Sequence, residues 1–115
     1  MATVRVMYWK EIPVQVQASD GSGSVSRPLD PRFQQAVDAI AMFDGSAGTD
    51  AYLSAWECGP YVEATGSAKD AAERLATKYN SNFPLDLVRI VRDAHRAGSR
   101  NPAPQALDHL IPDDT

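Results

Sequence analysis

Arg89, Arg92, Arg96 and Arg100 recur every three or four residues. On a helix turning about 100° per residue they would fall within about 80° of one another, as one cationic stripe. Guanidinium groups arrayed this way suit phosphate, a carboxylate-bearing ligand or an acidic partner surface. The same spacing also makes an ordinary solvated face, paired with some of the 15 acidic residues.

The remaining chemistry is thinner. Cys58 as a nucleophile with His95 as its base would need a third orienting group, and the sequence names none. A free thiol is the plainer reading. His95 falls on the apolar side of its segment and reads as a core histidine. With His109 near the C-terminus, two separated histidines and one cysteine do not make a zinc set. No metal, cofactor or catalytic residue is therefore expected. Thr65-Gly66-Ser67 opens a helix and could seat an anion on free N–H groups, or simply cap it. Glu57 and Glu63 would face each other across a hairpin, but nothing raises them above surface carboxylates. The aromatics Tyr8, Trp9, Trp56 and Tyr61 are the better prospect. They read either as core or as a shared contact patch, with Trp9 and Trp56 on faces not expected to be fully buried.

The elements that must position these groups follow from periodicity. Thr3–Trp9 and Ile12–Ala18 alternate, and only Lys10-Glu11 separates them, so they should pair as antiparallel neighbours. Pro13 belongs at a strand start or on an edge. Asp20-Gly21-Ser22-Gly23-Ser24 is turn chemistry, and Val25 to Leu29 is either a short strand or an extended link. Leu29-Asp30-Pro31 opens a helix, with Asp30 as cap and Pro31 at the first helical position. Phe33, Ala36, Val37, Ile40 and Ala41 form its apolar face, with Arg32 towards solvent. Tyr52 to Glu57 reads as a helical turn or a strand and Tyr61 to Thr65 as a strand, and the favoured arrangement is a hairpin turning at Gly59-Pro60. Ser67 caps the next helix, where Ala68, Ala71, Ala72, Leu75, Ala76 and Tyr79 lie inside. Pro84 can begin a last helix, which Gly98 closes.

The expected order, β-β-(β)-α-β-β-α-α, is an α+β fold. It has an antiparallel sheet of four to five strands and about three helices mainly on one face. Residues 1–97 would form one domain. Residues 98–115 would be a proline-containing tail, loose or docked through Leu107, Leu110 and Ile111.

Composition limits the function. The 115 residues carry a net charge of -4, with 43% hydrophobic and 23% charged residues. That suits one soluble globule and argues against nucleic-acid binding. No leader or membrane-spanning stretch is visible, and one cysteine fits a reducing cytosol.

Val6-Met7-Tyr8-Trp9-Lys10-Glu11-Ile12-Pro13-Val14-Gln15-Val16 resembles the opening of a small bacterial domain family named "virulence factor". Arg32-Phe33-Gln34-Gln35-Ala36-Val37-Asp38 resembles its first helix. Gly48-Thr49-Asp50-Ala51-Tyr52-Leu53 with Trp56 resembles its next block. The likeness spans residues 2–80. It implies a domain found alone, or at the C-terminus of larger proteins similar to conserved virulence factor C. It also implies a neighbourhood of folate- and corrinoid-linked one-carbon proteins. It carries over no catalytic residue.

The leading expectation is a cytoplasmic interaction or accessory domain with a protein partner, contacted through Tyr8, Trp9, Trp56 and Tyr61. A homo-oligomer stays open. The alternatives are a module holding an anionic small ligand on Arg89, Arg92, Arg96 and Arg100, or a small enzyme of unknown reaction.

Overall fold

The computed structural model describes residues 2–110. Ile111, one of the expected docking residues, lies outside them. The elements run β1 (Ala2–Trp9), β2 (Ile12–Asp20), β3 (Gly23–Pro28), α1 (Pro31–Asp44), α2 (Asp50–Ser54), β4 (Trp56–Cys58), β5 (Val62–Ala64), α3 (Ala68–Asn82) and α4 (Leu87–Ala97), then a 3-10 turn at Asp108–Leu110.

β1 and β2 pair antiparallel from Thr3↔Ser19 to Trp9↔Ile12, as their alternation requires. Lys10 turns the corner at φ 51°. The register slips by one residue at Val14, because Met7 faces Gln15 while Tyr8 faces Pro13. This bulge lies beside a proline that has no N–H to give. β3 adds to β2, and the ladder runs one residue further through Leu29 N–H to the Val14 carbonyl at 2.9 Å.

The expected hairpin at Gly59-Pro60 does not form. β4 and β5 both pair with β1, through Trp9↔Trp56 and Met7↔Cys58, then Val4↔Val62 and Ala2↔Ala64. Gly59 N–H donates to the Val6 carbonyl at 2.8 Å, so pairing continues between them. Residues 56–64 are thus one edge strand with a one-residue bulge at Pro60–Tyr61. A glycine-proline step reads the same in a turn and in an edge bulge. Tyr52 to Ser54, open between a helical turn and a strand in the sequence, belongs to the short helix α2, and the strand begins only at Trp56.

α1 buries Phe33, Ala36, Val37, Ile40 and Ala41, the predicted stripe. Pro31 starts it, but Asp30 makes no side-chain cap bond. Its carboxylate instead pairs with Arg32 at 3.7 Å. Arg32, expected in solvent, donates to the carbonyls of Asn80, Phe83 and Pro84. It satisfies acceptors left open at the end of α3. α3 buries Ala68, Ala71, Ala72, Ala76 and Tyr79, and its small residues let it lie close on β1, β2 and β3. α4 packs on α1. It starts at Leu87 rather than Pro84 and ends at Gly98, which takes a left-handed φ of 74°.

Val4, Val6, Tyr8, Val16 and Ala18 point into this helical layer and are buried. The alternate residues Thr3, Arg5, Met7, Gln15 and Gln17 form the opposite sheet face and are half-exposed.

Candidate functional site

The two ends of β1 differ. At the turn end the side chains are closed in. Trp9 is 0% exposed, against expectation. Its indole N–H donates to the Tyr52 carbonyl at 2.9 Å, and the Tyr52 ring packs on it with centroids 5.6 Å apart. The crossing segment α2 therefore supplies both cover and acceptor, as a buried tryptophan needs. Tyr8 is buried too. Its hydroxyl donates to Asp108 Oδ2 at 2.7 Å, and Tyr79 donates to the same oxygen at 2.9 Å. Burial pushes both phenols well above their ordinary range, and the contacts with Asp108 add to the shift. Tyr8 and Trp9 therefore belong to the core and not to a contact surface.

Lys10 and Glu11 close the same end with charge. Glu11 is 1% exposed, yet it is fully paired. Arg100 Nε and Nη2 each donate to it at 2.7 Å, a bidentate fork. Arg100 Nη1 reaches Asp44 at 3.1 Å, and Lys10 Nζ donates to Asp44 at 2.7 Å and to Ser46 at 2.8 Å. Two cations meet two carboxylates, so the cluster is neutral. Burial pushes the Asp44 carboxyl up. Hydrogen bonds from Lys10, Ser46 and Arg100 outweigh that and hold it at about 2. For Arg100 burial opposes the charge, and the Glu11 carboxylate more than offsets it.

This arrangement breaks the arginine stripe. Gly98 turns the chain out of α4, so Arg100 lies beyond the helix with 8% of its side chain exposed. Arg89 pairs with Asp86 one turn before it. Arg92 contacts Asp93 at 3.9 Å, and Arg96 is exposed. The segment after Gly98 is held to the body by Arg100 and Asp108, with Leu107 packed on the core. A cavity of about 170 Å³ lies beneath it, between Val91 and Ala94 of α4 and Ala106 and Leu107, with the Glu11–Arg100 pair on its wall.

The other sequence-derived pairs are not assembled. Cys58 faces Met7 in the sheet, while His95 is exposed on α4 with its ring against Phe43 at 5.4 Å. The expected core histidine is therefore a surface one. Glu57 and Glu63 lie opposite Tyr8 and Thr3. Five residues of strand separate those positions, roughly 16 Å. The start of α3 has its anion already: Asp20 Oδ2 accepts from Ala68 N–H at 2.7 Å, and Ser67 Oγ accepts from Asp70 N–H. The Ala68 N–H is the main cause that holds the Asp20 carboxyl below its usual range. No group of three or more metal-ligating side chains occurs among the described residues. No helix among them is long and apolar enough to cross a membrane.

What stays open is the β4–β5 edge. Tyr61 is 51% exposed and Val62 58%. Arg5 lies over the Tyr61 ring, 4.5 Å from its centroid. Trp56 is half-buried, edge-on to Tyr52 at 6.2 Å. Leu53, just before β4, is also exposed. Behind β5 a groove of about 260 Å³ runs along α3, with Val4, Ala64, Ala71 and Leu75 below and Arg74 and Lys78 on its lip. Sequence reasoning singled out Trp56 and Tyr61 but missed Val62 and the groove. The signal available was Val62 itself, an aliphatic residue next to an exposed tyrosine in a strand bounded by proline and glycine.

The family model described as "Virulence factor" matches residues 7–91, well over half of the chain. No curated protein and no solved structure matches the chain.

Proposed function

The chain belongs to the virulence factor family, and we propose that it is a small interaction or accessory domain that docks a protein partner on the β4–β5 edge. One observation carries this reading. The edge strand leaves Tyr61 exposed on the Arg5 face and Val62 exposed on the helical face, on the same edge as a half-buried Trp56, while the equally conspicuous Tyr8 and Trp9 are sealed. Aromatic side chains with little entropy left to lose are common anchors at protein interfaces. The family resemblance adds the finer proposal that the partner belongs to folate- or corrinoid-linked one-carbon metabolism in the cytoplasm. That step is an association and not a reading of the site.

The anionic-ligand alternative has less support, because Arg89 and Arg100 are already paired with carboxylates. For a small enzyme the described residues offer no assembled nucleophile and base.

The test is co-purification from the native host with Trp56→Ala combined with Tyr61→Ala. Loss of a tryptophan or tyrosine anchor of 2 kcal/mol or more weakens binding about 30-fold or more. The expected result is a specific partner with the native chain and its loss with the variant, the variant still folded by circular dichroism. Retention of the same partner by the folded variant would overturn the proposal.

A further inference from the structure

The helical layer stops one strand short of the sheet. α3 lies over β1, β2 and β3. β5, on the far side of β1, has its inner face left open: Val62 stands opposite Val4 in the ladder, yet Val4 is buried and Val62 is 58% exposed. The step between α3 and this uncovered strand is the 260 Å³ groove. Its floor is aliphatic, from Val4, Ala64, Ala71 and Leu75, and its lip carries Arg74 and Lys78 one helical turn apart. Arg74 is anchored by a donated bond from Nη2 to the Thr65 carbonyl. Its planar fork has five donors, so N–H groups remain for a carboxylate arriving from outside.

We infer that the groove receives an amphipathic helix of a partner protein, with an aliphatic ridge towards Val62, Ala64 and Leu75 and an acidic flank towards Arg74. The inference rests on the interaction reading and adds the partner's chemistry. A helix fits the space for a geometric reason. Strands lie about 4.8 Å apart and a helix is about 10 Å across, so a helix beside α3 covers β5 and overhangs the edge. Strand addition is the poorer fit, because β5 offers only three residues before the Pro60 bulge interrupts the edge. The binding mode is the helix-in-groove mode, in which the aliphatic ridge gives affinity and the flanking charge sets the choice of partner.

Three amphipathic peptides of 18 residues, with one leucine ridge and flanks of glutamate, glutamine or lysine, provide the probe. They are titrated into the full chain and followed by backbone amide shifts. The glutamate peptide should bind most tightly, by about tenfold over the lysine peptide at low salt, with shifts at Val62, Ala64, Ala71 and Leu75. Arg74→Glu should reverse that order, and Val62→Asp should weaken all three. Equal binding of the three peptides, an order unchanged in Arg74→Glu, or no saturable shifts in the groove would overturn the inference. The co-purified partner separates this failure from failure of the interaction reading. If Trp56→Ala with Tyr61→Ala loses that partner while Arg74→Glu and Val62→Asp keep it, the edge docks a partner but the groove does not take its helix.

Discussion

The turn end of β1 and its free edge are built from similar residues and do opposite things. At the turn end, Tyr8, Trp9, Lys10 and Glu11 each have a partner within the chain, drawn from α1, α2, α3 and the segment after α4. At the edge, Tyr61 and Val62 are more than half exposed, and Trp56 is only half covered, by Tyr52 of α2. The difference lies in what crosses over them. α2 closes over Trp9, while nothing in the described chain closes over β5. Conspicuous sequence therefore marks closure at one end, and a less conspicuous stretch marks the surface left for a partner.

The sharpest way to break the comparison is to open the sealed end. Arg100→Ala leaves Glu11 buried and unpaired and should cost about 3–5 kcal/mol, seen as a lower denaturant midpoint. Replacing both partners, Arg100→Met with Glu11→Leu, should recover most of that loss, since an apolar pair needs no desolvated charge. If Arg100→Ala costs under about 1 kcal/mol, the pair is solvated and the end is not sealed. Ile40→Ala, in the core beneath, should cost roughly 2–5 kcal/mol by denaturant melts.

How much of this was legible depends on sequence distance. The pairing of β1 with β2 and the inner face of α1 followed from periods of two and 3.6, which only neighbouring residues decide. Asp30-Pro31 and Gly98 marked helix ends for local steric reasons. The Glu11–Arg100 fork joins residues 89 apart in sequence. No local pattern shows that contact, although two charges wedged between Trp9 and Ile12 already had to find partners. Arg100 looked helical because it continued the spacing of Arg96, yet Gly98 had ended the helix before it. Gly59-Pro60 misled because turns and edge bulges share the same residues.

A milder perturbation is acid. The Asp44 carboxyl titrates at about 2 in the folded chain and near 3.9 when unfolded. A depressed carboxylate stabilises fully above pH 4, and its contribution falls away between about pH 4 and 2. Asp44→Asn should flatten that part of the stability-against-pH curve in a series of urea melts. An unchanged acid limb would mean that Lys10 and Arg100 do not hold the carboxylate.

The smallest stability effects belong to the edge. Tyr61→Ala and Val62→Asp should each cost less than about 1 kcal/mol, because both side chains are more than half exposed. A larger loss would mean that the edge is part of the core, and the contrast between the two ends of β1 would disappear.

The most direct measurement is amide hydrogen exchange of the chain alone and in complex with its co-purified partner. The account predicts added protection across residues 56–64 and the facing side of α3, with the amides around Trp9, Lys10 and Glu11 equally slow in both states. Protection confined to the Lys10–Glu11 turn or to α4, with residues 56–64 unchanged, would contradict it.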